Sequence, residues 1–83
     1  MIYKKIYLRD MKSSQQLHVV NRSYNLAALD EKKWYLQGTN DLFNEDSEIL
    51  NQLEDVIAGS YLERNNGEKI YAVISVGEAN AKF

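Results

Sequence analysis

Few residues in this 83-residue chain are of types that do chemistry. There is one histidine, His18, and no cysteine. A single imidazole without thiolates does not complete a zinc site, and no nucleophile stands at a spacing that would make a dyad with it. His18 lies within an apolar run, Leu17 to Val20, and reads as a structural or exposed side chain. The carboxylate pairs Glu45-Asp46 and Glu54-Asp55 are adjacent in sequence, so on a helix their members point apart. Nothing there resembles the opposed acid and base of hydrolytic catalysis. Ser13-Ser14 has neither an accompanying base nor a glycine elbow. The four glycines, Gly38, Gly59, Gly67 and Gly77, form no phosphate-cradling loop or dinucleotide fingerprint. The acidic run 40–48 lacks the central glycine of a calcium loop. The expectation is therefore no enzymatic activity, no metal and no cofactor.

What remains is chemistry of association, carried by charge and by tyrosine. The formal net charge of −2 conceals segregation: residues 1–37 balance at +4, residues 38–63 at −7 with no base at all, and residues 64–83 at +1. A charge distribution of this kind steers partners. Six tyrosines in so short a chain supply large rings with polar tips, the side chains that interfaces favour.

These residues must be held by a small fold. Eighty-three residues make one domain, 1–83, with a modest core. At 45% apolar and 27% charged, the composition is that of a folded globular chain. The start of the chain has a basic pair but no signal-peptide apolar stretch, and no run approaches a membrane span. A cytoplasmic protein with no membrane partner is the expectation.

The strongest periodicity lies at 46–58. Behind a capping Asp46 or Ser47, Ile49, Leu50, Leu53, Val56 and Ile57 fall within an arc of about 120° at helical spacing. This predicts an amphipathic helix closed by Gly59. Beyond it, Asn65-Asn66-Gly67 between two apolar runs predicts a β-hairpin turning at 65–67. Its second arm alternates, placing Ile70, Ala72, Ile74 and Val76 toward the core and Lys69, Tyr71, Val73 and Ser75 away from it. Ile2 to Arg9 alternates likewise, Gln16 to Arg22 reads as a returning strand, and Lys32 to Gln37 as a third, with Trp34 as a core anchor. Residues 23–29 suit a short helix or a strand, and 77–83 a frayed tail. The fold expected is α+β: an antiparallel sheet of about five strands, packed on one face by a single helix, with the hairpin central or nearly so.

One helix covers one face of a sheet, so the other must meet water or a partner. The alternation assigns to it Tyr3, Lys5, Tyr7, Arg9, Lys33, Tyr35, Lys69 and Tyr71. A second candidate surface is the acidic stripe of Asp41, Glu45, Asp46, Glu48, Glu54 and Asp55, suited to a partner protein with a basic surface. The function expected is non-enzymatic protein binding by a small adaptor or inhibitor, with a homodimer through the tyrosine face as a further option. A cysteine- and proline-free, Asn- and Lys-rich chain of this size also has the composition of an inhibitor that a phage or mobile element directs against a bacterial host enzyme or defence complex. The alternative is single-stranded nucleic-acid binding on the Tyr/Lys face. The negative net charge and a sequence pI near 5.3 count against it.

Overall fold

A computed structural model describes residues 2–22 and 33–80. They form a five-stranded antiparallel sheet and one short helix. The strands are β1 (Ile2–Asp10), β2 (Gln16–Arg22), β3 (Lys33–Leu36), β4 (Tyr61–Glu63) and β5 (Lys69–Asn80), in spatial order β3-β2-β1-β5-β4. The central strand is thus β1, whereas β4 of the hairpin lies at the sheet edge. Residues 23–29, with their open choice between helix and strand, lie outside the described residues.

Helical structure is shorter than the periodicity predicts. Helix α1 (Ser47–Leu50) passes into a 3-10 turn over Asn51–Glu54, and no helix continues to residue 58. Asp46 caps the start, its Oδ1 accepting from the Ile49 amide at 3.2 Å. The end is set by competing bonds. Lys4 Nζ donates to the Glu54 carbonyl at 2.6 Å, and Gly59 N reaches across to the Val73 carbonyl at 2.8 Å. The chain leaves the helix to join β5, and β-branched Val56 and Ile57 offer little resistance. Ile49 and Leu53 are fully buried, but Ile57 is 71% exposed, so the five-residue apolar face is cut short.

The core lies between one sheet face and this helical segment. Ile6 and Leu8 stand at its centre, with Val19 opposite Ile6 on β2, and Phe43, Ile49 and Leu53 covering them. On β5 the predicted parity fails. The pairing with β1 goes from Tyr7 opposite Ser75 to Leu8 opposite Val73, so Ile74 is an extra residue. A second irregularity against β4 leaves Ile70 extra. Each single-residue bulge flips the alternation. Tyr71 and Val73, assigned to the outer face by strict alternation, are therefore core residues, while Ile74 is 42% exposed. Gly77 to Asn80 continue β5, and the remainder of the expected frayed tail, residues 81–83, lies outside the described residues.

Candidate functional site

The tyrosine face does not form a continuous platform. Lys5 lies opposite Val20 and Val20 opposite Tyr35, so these residues share the face away from the helix. There Tyr3, Val20 and Tyr35 are buried. Tyr71 belongs to the opposite face. Its ring meets Phe43 edge-on at 5.5 Å and its hydroxyl donates to Glu45 Oε2 at 2.9 Å. Burial, reinforced by the Glu45 carboxylate, raises the Tyr71 pKa, so the phenol stays a donor.

Of the eight residues first assigned to that face, Lys5 and Tyr7 are half-buried, and Arg9, Lys33 and Lys69 are exposed. Tyr7 is held in place: its hydroxyl donates to Gln16 Oε1 and its ring packs edge-on against His18 at 4.3 Å. His18 Nδ1 is itself 3.1 Å from Gln37 Oε1, a structural setting for the one imidazole. Alternation alone passed over Tyr61, which lies opposite Ala72 and carries Lys69 Nζ 4.6 Å above its ring. The hairpin turn, which brings residues 61 and 69 near one another, is the signal that could have found it.

The acidic stripe divides into two sets. Asp46, Glu48 and Glu45 are tied into the fold. Arg64 Nη1 donates to Asp46 Oδ2 at 2.9 Å and lies 3.9 Å from Glu48, whose Oε1 accepts from the Asn65 amide. The Arg64 guanidinium and the Ile49 amide hold the Asp46 carboxyl below the usual carboxylate range, and Asp46 in turn raises Arg64. This knot fastens the β4–β5 turn to the start of α1. Sequence reading could not find it, because 18 positions separate Asp46 from Arg64.

Asp41, Glu54 and Asp55 are exposed, and no side-chain ion pair engages them among the described residues. Between the edge of β3 and the helical segment runs a groove of about 530 Å³. Trp34, Leu42, Phe43 and Leu50 line it together with the charged Lys33, Glu45 and Glu54. Leu42, half exposed, stands beside Asp41 and is the apolar contact available to a visitor. Among the described residues, no cluster of histidines and carboxylates could hold a metal ion, and no helix is long and apolar enough to cross a membrane. The chain matches no family model, no curated protein and no solved structure in the comparisons with known proteins.

Proposed function

We propose that the protein is a non-enzymatic protein-binding module, a small adaptor or inhibitor that occupies the surface of a partner with basic character. The observation that carries this reading is the groove between β3 and α1, lined by half-exposed Leu42 and by the Glu54 carboxylate, unpaired among the described residues, with exposed Asp41 and Asp55 next to these two in the chain and the Asp46–Arg64 knot holding the start of α1. A fixed acidic rim complements a basic surface at low reorganisation cost and speeds encounter with it. Asp41, Glu54 and Asp55 are the contact charges, while Glu45, Asp46 and Glu48 hold them in place. The composition suits an inhibitor encoded by a phage or mobile element and acting in the bacterial cytoplasm.

A second reading, binding of single-stranded nucleic acid, is favoured by Tyr61 beneath Lys69 and by Tyr7 two residues from exposed Arg9. Three of the tyrosines it relied on are buried, which leaves two rings on strands separated by β5. Fluorescence anisotropy of labelled single-stranded DNA and RNA, titrated with the protein at low and moderate salt, separates the readings. The protein-binding reading expects no change even at low salt. Micromolar binding that weakens steeply as salt rises would replace it with the second.

A further inference from the structure

Among the described residues, the outer edges of β3, β4 and β5 have no neighbouring strand over part or all of their length, and the fold closes two of these three edges. Along the outside of β3, Leu36 N donates to the Asp41 carbonyl and Phe43 N to the Trp34 carbonyl, each at 2.9 Å. Along the outside of β4, the Gln52 carboxamide takes the place of a strand residue. Its Nε2 donates to the Glu63 carbonyl at 2.6 Å and its Oε1 accepts from the Glu63 amide at 2.9 Å. The third stretch is the outer edge of β5. The hairpin partner β4 covers only residues 69–72, and the Gly59–Ser60 backbone reaches Val73. From Ile74 to Asn80 the side of β5 away from β1 has no strand beside it among the described residues. Ile74, Ser75, Gly77 and Glu78 are exposed. An open edge of this length is a template for another strand, and proteins commonly blunt such edges with lysine or proline, neither of which occurs here.

Gly77 indicates what is added. Gly38, Gly59 and Gly67 take positive φ angles that suit glycine, but Gly77 does not, and among the described residues a Cβ there would meet nothing within 4 Å. The described residues of one copy give no reason for a glycine at the middle of this edge. A glycine inside a strand often marks close approach of another backbone. We infer that the free edge of β5 pairs antiparallel with β5 of a second copy, about a two-fold axis at Gly77, joining two sheets into one of ten strands. The edge is its own complement in this register: Ser75 lies opposite Ala79, Val76 opposite Glu78 and Gly77 opposite Gly77. No like charges face each other, and the closed two-fold arrangement is the commonest among oligomers. The groove beside β3 lies at the other end of the strand order, so this pairing leaves it open to a partner.

Sedimentation equilibrium over a concentration series tests the inference, with amide hydrogen exchange on the same samples. The native chain is expected to show a monomer–dimer equilibrium, and the amides of Ser75–Ala79 that face away from β1 should exchange more slowly as concentration rises. Gly77→Glu faces Lys5 within its own copy but a second glutamate across the axis. It should weaken the dimer by roughly tenfold or more, whereas Arg9→Glu on the sheet face leaves it unchanged. A chain that is monomeric throughout, or a dimer that survives Gly77→Glu and is dispersed by Arg9→Glu, overturns the inference. Should Gly77→Glu fail to fold, the native chain still decides: exchange at Ser75–Ala79 that does not vary with concentration is a negative result.

Discussion

Asp46 serves two ends of the molecule at once, capping α1 with one oxygen and holding Arg64 of the β4–β5 turn with the other. Its pKa is lowered in the folded chain, so its stabilising contribution is complete above the ordinary carboxylate value of about 3.9. That contribution is lost as pH falls through the lower folded value. Urea midpoints should therefore drop between mildly and strongly acidic pH in the native chain, and less so in Asp46→Asn, which keeps a capping oxygen but not the charge. Tyr71 works with the opposite sign. Its raised pKa means stability that is full below the ordinary phenol value of about 10 and declines above it. Tyr71→Phe should cost about 1.5 kcal/mol at neutral pH by leaving Glu45 without its donor, and should flatten the alkaline decline. The cap was legible as one of two neighbours, Asp46 or Ser47, shortly before the first apolar-periodic residue Ile49, and the structure selects Asp46. The Arg64 and Glu45 contacts were not, since they join residues 18 and 26 positions apart.

At the scale of elements, period-2 patterns located strands well, but which face is buried depends on bulges that leave no mark in an alternating sequence. Ile70, Ala72, Ile74 and Val76 looked like one face until two extra residues divided it. The helix raises a similar problem: an apolar spacing suited to four turns supports only two, because the carbonyls and amides that would extend it are engaged by Lys4 and β5. Substitution can test this shortening. Leu53→Ala should cost about 2 to 5 kcal/mol as a buried truncation, while Ile57→Lys should stay within about 0.5 kcal/mol, as for a surface site. A full-length helix face would make the two comparable in chemical denaturation. Gln52→Ala, which removes the clamp on β4, should cost about 1 to 2 kcal/mol and speed amide exchange at Glu63 more than at Ile6.

On the scale of the whole molecule, charge and burial place different properties on different sides. The sheet was expected to offer a row of tyrosines; instead it buries three of them and exposes Arg9, Lys69 and Tyr61. The acidic segment was visible as a base-free run, yet only three dimensions reveal that Glu45, Asp46 and Glu48 are already engaged, that Asp41, Glu54 and Asp55 are exposed, and that Glu54 lines an open groove with Leu42. The central claim is that this acidic groove contacts a partner protein, and it assigns the unengaged carboxylates as the contacts. The most direct measurement is parallel capture from a lysate of the source cell on the immobilised native chain and on the Asp41→Lys, Glu54→Lys, Asp55→Lys variant, after circular dichroism has shown the same fold for both. The account predicts a partner with a basic surface that is retained by the native chain, released by salt and lost from the variant. Equal retention on both would contradict it.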